Sequence, residues 1–215
     1  MMKKLILTFA LSFLWISLSM ASDPAFEKAM KKQIVAMDQI ANAEQSKEVA
    51  NGFLRIAEAK SEEWLPLYYA GLIHIEAAFR FDVNKDQYLD QALEYIDKAE
   101  KLAPANSEVT ALKGYAIMGK ISLDPASRGQ NLSPQAMQLF GKAINLDREN
   151  PRALYLMAQM EYGMAQFFGS GTDKACGMVR LSLEQFEKEE SIITEDYILP
   201  KWGKRSAQQM MNNCN

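Results

Sequence analysis

From Pro24 onward, apolar residues recur at intervals of three and four, and clusters of Pro, Asn, Gly and Asp interrupt them at regular distances. The segment 89–106, LDQALEYIDKAEKLAPAN, shows this most plainly: its apolar positions fall on one helical face and a proline stops it. Residues 136–151, AMQLFGKAINLDRENP, repeat the same arrangement. In both segments alanines seven apart (Ala92 and Ala99, Ala136 and Ala143), with a large apolar residue four after the first, leave room for a neighbouring helix to approach closely. The pattern predicts four helix pairs over 24–60, 63–103, 107–147 and 151–188, followed by a closing helix over 202–213.

Self-similarity of this kind is the mark of a repeat array. Ala92, Ile96, Ala99 and Pro104 match the second-helix signature of the tetratricopeptide repeat. Ala136, Phe140 and Ala143 match it again, with Arg148 in the proline's place, as do Ala50, Leu54 and Ala57. The small residue of the first helix falls on Gly71, Gly114 and Ala158. The chain therefore resembles that family, which implies an all-α, right-handed superhelical solenoid. Its period departs from the family's. Second-helix alanines lie 42 (Ala57 to Ala99) and 44 (Ala99 to Ala143) residues apart, against a usual period of about 34, so each unit carries a longer helix or an enlarged turn. Trp64-Leu65-Pro66 and Leu199-Pro200-Lys201-Trp202-Gly203, with the N-terminal leader, also resemble a group of exported Bacteroidota repeat proteins with no firmly assigned activity.

That leader comprises Lys3 and Lys4, an apolar run from Leu5 to Leu18, and the triplet Ser19-Met20-Ala21. It reads as a secretory signal peptide cleaved after Ala21, leaving 22–215 as one helical-repeat domain. The run is shorter than the roughly twenty residues of a spanning helix. Export to the periplasm or beyond is the expectation, with no membrane segment after cleavage. Without the leader the chain has 22 basic and 27 acidic residues, a net charge of −5. Nucleic acid, which calls for a basic face, is therefore not an expected partner.

The stretch FFGSGTDKACG, 167–177, raises the question of a phosphate loop. Such a loop follows a strand and ends in Gly-Lys-Ser/Thr, whereas here Gly171 precedes Thr172-Asp173 and the preceding residues are helical in pattern. The stretch reads instead as a turn between two helices, with Ser170 or Thr172 to cap the second. Cys176 near the start of one helix and Cys214 at the end of the next each lie about twelve residues from the bend, roughly 18 Å at helical rise. Antiparallel packing brings the thiols to one level and predicts a Cys176–Cys214 disulfide. A pair of free thiols is the alternative.

Asp82-Val83-Asn84-Lys85-Asp86 resembles the start of a calcium loop, but Gln87 replaces the turn glycine and Leu93 the terminal glutamate, so a solvated turn is expected. His74 is the single histidine. It lacks the partners of a conventional zinc site or catalytic triad, so no metal, cofactor or catalytic set is assigned.

In tetratricopeptide solenoids the first helices line a concave groove that receives partner segments. Carried over position by position, the resemblance implies groove candidates Tyr68, Leu72, Glu108, Tyr115, Arg152, Tyr155, Gln159 and Tyr162, with Ile75, Ala111 and Met118 between them. The expectation is an exported, non-enzymatic scaffold docking an envelope or extracellular protein or peptide. The alternative is a helical-repeat enzyme or small-ligand receptor using enlarged loops at 81–88 and 122–133. A purely architectural component is a third reading.

Overall fold

The computed structural model describes residues 23–214. The expected signal peptide lies outside the described residues. Nine helices and no strand are found among the described residues: α1 Pro24–Met37, α2 Ala43–Ala59, α3 Leu65–Arg80, α4 Lys85–Leu102, α5 Ser107–Leu123, α6 Pro125–Leu146, α7 Pro151–Phe168, α8 Asp173–Ile192 and α9 Lys204–Asn212. The first eight form four consecutive pairs, each packed against its neighbours in chain order, and α9 closes against α8. This is the helical-repeat solenoid with a terminal cap.

Local chemistry sets the helix starts. Asn42, Asn84, Asn106 and Asn150 each accept, through the side-chain oxygen, the backbone N–H three residues on, satisfying a donor that the first turn leaves orphaned. Asp23 and Asp124 do the same for α1 and α6. Because these caps act early, the residues added to each repeat lie in the helices. The expected enlarged loops are corrected accordingly: Lys85–Tyr88 open α4, and 122–133 belong to α5 and α6 apart from Asp124, which ends one helix and caps the next. Pro125, at the first position of α6, has no N–H to leave unsatisfied. Asn84 and Asp86 of the calcium-like stretch are likewise used by the fold, one as the α4 cap and the other in a two-point pair with Arg128 at 2.6 and 2.9 Å.

Within the second and third pairs the helices meet at small-to-large contacts. A methyl added at Gly71 would lie 2.8 Å from Ile96, and one added at Gly114 would lie 2.5 Å from the Phe140 ring. Ile96 and Phe140 are both fully buried, as are Ala92, Ala99, Ala136 and Ala143. Two apolar clusters result, one over α1–α5 and one over α5–α9, and Tyr115 and Trp202 pack against both.

The turn at 167–177 is confirmed in detail, with one correction. Gly169 adopts φ 68°, a left-handed conformation natural to glycine, and Ser170 N–H donates to the Ala165 carbonyl at 2.8 Å, ending α7. Thr172 stands at the start of α8, but no side-chain bond caps that helix; Asp173 in the first turn meets its positive end instead. A Cys176–Cys214 disulfide joins the start of α8 to the end of the chain, with Cα atoms 5.6 Å apart.

Gly114→Ala is expected to lower stability by about 1–3 kcal/mol, because the fully buried Phe140 ring must move. Gly163, also helical but with nothing within 4 Å of an added methyl, is expected to gain up to about 1 kcal/mol from the same change. Thermal melts of the two variants should shift in opposite directions.

Candidate functional site

The face that carries Tyr68, Tyr69 and Tyr115 is occupied by the chain itself. Between α8 and α9, residues 193–203 cross the solenoid without regular structure and reach back to its first two pairs. Lys31 of α1 pairs with Asp196. The Tyr69 hydroxyl donates to the Ile198 carbonyl at 2.9 Å, and Trp202 Nε1 donates to the Tyr68 hydroxyl at 2.9 Å. Trp202 stacks on Tyr115, centroids 5.6 Å apart, and Tyr115 stacks on Phe79 at 6.0 Å. Gly203 takes φ 106° and presses against Phe186, where a side chain would meet the ring at 2.9 Å. Tight approach and left-handed backbone together require glycine there.

Beneath this strap lies a buried charge hub. Arg152 on α7, 3 % exposed, directs Nε to both carboxylate oxygens of Glu108 on α5 at 2.9 Å, and its terminal nitrogens to Glu189 on α8. It also donates to the Trp202 carbonyl at 3.4 Å, and Tyr68 donates to Glu108 at 3.0 Å. Burial works against the Arg152 charge, but the Glu108 and Glu189 carboxylates outweigh it and hold the guanidinium protonated. Burial pushes the Glu108 carboxyl above its usual range, against the opposing pull of Arg152. The same burial raises the Tyr68, Tyr69 and Tyr115 hydroxyls, so each remains a neutral donor.

The eight groove candidates divide accordingly. Tyr68, Glu108 and Arg152 come together in the hub, Tyr115 stacks under Trp202, and Leu72 is fully buried. Tyr155 is buried in the cluster that α5–α9 share. Gln159 is exposed and Tyr162 partly so, further along α7. The residues that complete this face are Ile198, Trp202 and Gly203; the last two were expected to open the closing helix over 202–213, but α9 begins only at Lys204, after the left-handed Gly203. The only signal in the sequence is the unusual Trp-Gly pair following a proline.

A cleft of about 640 Å³ opens beside the hub, between the strap and the ends of α5–α8. Trp64, Tyr197 and Pro200 contribute to its wall, together with the notably exposed Leu146, Ile192 and Leu199. Its charged lining comprises Glu108, Asp147, Glu149 and Glu189 against Arg152 and Lys188, an excess of two negative charges. On the other side of α3, His74 lies beside two rings of α4, with Tyr88 at 5.5 Å and Tyr95 at 5.2 Å between centroids. Its Nδ1 is 2.8 Å from the Ala70 carbonyl.

These features define an all-α helical-repeat protein in which residues 193–203 cover Tyr68, Tyr69 and Tyr115. No protein-family model matches the chain, and no curated protein matches it. Among solved structures it is similar to the HusA haemophore from Porphyromonas gingivalis, with 27% identity, TM-score 0.75, and coverage of 91% of this chain and 95% of that one. It is more remotely similar to a MamA RS-1 ArsTM double mutant, at 14% identity and TM-score 0.48 over 77% of this chain and 78% of that one. A second MamA structure matches at 14% identity and TM-score 0.32, over 80% and 99%.

Arg152→Met is expected to cost about 3–5 kcal/mol, because two carboxylates are left buried without their cation. The Glu108 carboxyl already sits above its ordinary value, so the native state binds protons more readily than the unfolded chain. The deficit should therefore shrink as pH falls through the carboxylate range and grow as it rises. Urea unfolding across that range reads both effects.

Proposed function

We propose that this protein is an exported, non-enzymatic carrier of a flat apolar ligand of the tetrapyrrole class, with haem as the leading member. The likeness to a haemophore supports this reading because it runs through nearly the whole of both chains. The disulfide supports export, since such bonds persist in oxidising compartments. A rigid helical scaffold rich in partly exposed tyrosines suits a ligand with two broad apolar faces and a polar edge.

Docking of a partner peptide on the concave face is less favoured, because residues 198–203 already bond to Tyr68, Tyr69 and Arg152 there. A peptide would have to displace this segment, which a disulfide tethers at its far end. A small ligand bound outside that face requires no such displacement.

Titrating the mature chain with ferric haemin is expected to give a saturable shift of the Soret band at one ligand per chain, with quenching of tryptophan emission. An unsaturable, protein-independent spectrum would reject the carrier reading.

A further inference from the structure

The site of a tetrapyrrole on this chain can be argued from charge and donor chemistry, taking the carrier reading as its premise. Haem presents a flat apolar ring, two carboxylates on one edge, and an iron with open axial positions. The cleft beside the hub suits it poorly. Its lining carries an excess of two negative charges, and its buried guanidinium is committed to Glu108 and Glu189.

The seam between α2 and α4, where both pack on α3, offers the opposite chemistry. His74 is partly exposed on α3. With Nδ1–H donating to the Ala70 carbonyl, its Nε2 carries the free lone pair. That second bond, ring N–H to a backbone carbonyl, is the support that metal-ligating histidines commonly have. Burial lowers the His74 pKa and favours the neutral, ligating form. Tyr88 and Tyr95 provide aromatic surface beside it, and the Tyr88 hydroxyl is buried without a hydrogen-bond partner. Lys47 on α2 lies close enough to influence His74, and Lys98 sits 5.8 Å from the Tyr95 ring. Both lysines are exposed, and neither is in an ion pair among the described residues. Of the carboxylates on this stretch of α4, Glu94 accepts a hydrogen bond from Gln91 at 2.9 Å and Asp97 pairs with Lys113.

We propose that the seam between α2 and α4 is the haem site, with His74 Nε2 as an axial ligand to the iron. Tyr88 and Tyr95 lie against the macrocycle, and Lys47 and Lys98 meet its carboxylates. Histidine and tyrosine are both established types of haem-iron ligand, and His74 is the chain's single imidazole.

The test uses the mature chain with ferric haemin and, separately, metal-free protoporphyrin, read by absorption and electron paramagnetic resonance. Wild type should show a histidine-ligated ferric spectrum. His74→Ala should lose that signature and bind haemin at least about tenfold more weakly. Its protoporphyrin affinity should change little, and added imidazole should restore the spectrum. Lys47→Glu combined with Lys98→Glu, both at exposed positions, should weaken haemin and protoporphyrin alike, and keeps the site testable if His74→Ala does not fold.

An unchanged spectrum and haemin affinity in folded His74→Ala, or undiminished binding in the lysine variant, overturns this site and leaves the carrier reading standing. Failure of wild type to bind either tetrapyrrole overturns both.

Discussion

A buried guanidinium organises the C-terminal half of this molecule. An uncompensated charge in a protein interior is strongly disfavoured, so Arg152 at the start of α7 can remain there only if partners converge on it from several directions. Glu108 arrives from α5, Glu189 from the end of α8, and the Trp202 carbonyl from the strap. These groups are distant in sequence, and their convergence fixes the third pair, the fourth pair and the closing segment in one arrangement. Hydrophobic packing alone would allow neighbouring helices to slide. The hub supplies a register, because a small displacement leaves a carboxylate or the guanidinium without its counterpart.

The strap extends that constraint to the other end of the solenoid. Its anchors to Lys31, Tyr68 and Tyr69 span more than a hundred residues, whereas most helix contacts here join sequence neighbours. Such long-range contacts carry a closure entropy that contacts between neighbouring pairs do not. The Cys176–Cys214 bridge reduces that cost at one end. It closes a 38-residue separation and removes conformations from the unfolded chain worth at most about 4 kcal/mol. It also holds α9 against α8, so that the strap is tethered on both sides.

What was legible in the sequence was whatever helical periodicity encodes. The buried Ala92, Ile96, Ala99, Ala136, Phe140 and Ala143 and the cysteine pair can be read from spacing, because a helix converts spacing directly into position, and the repeat resemblance adds Gly71 and Gly114. Two kinds of feature could not be read this way. Helix caps use the same Asn, Asp and Pro as open turns, so the residues lengthening each repeat looked like loops at 81–88 and 122–133 when most of them extend α4, α5 and α6. The strap has no period at all, and nothing local in Ile198 or Trp202 announces a bond to Tyr69 or Tyr68.

The strap also changes what the expected groove residues can mean. In an open solenoid, Tyr68, Tyr115 and Arg152 would be solvent-facing groups awaiting a partner, and their chemistry would invite a recognition role. Here the Tyr68 hydroxyl both accepts from Trp202 and donates to Glu108, and Arg152 is saturated by two carboxylates. A polar group whose hydrogen-bonding capacity is filled internally has little left to offer a ligand, and exposing it again would cost the bonds it already has. Capacity for new binding resides where hydrogen-bonding groups or lone pairs remain unspent. On this chain those include the imidazole nitrogen of His74 and the buried, partnerless hydroxyl of Tyr88, on the side of α3 away from the strap.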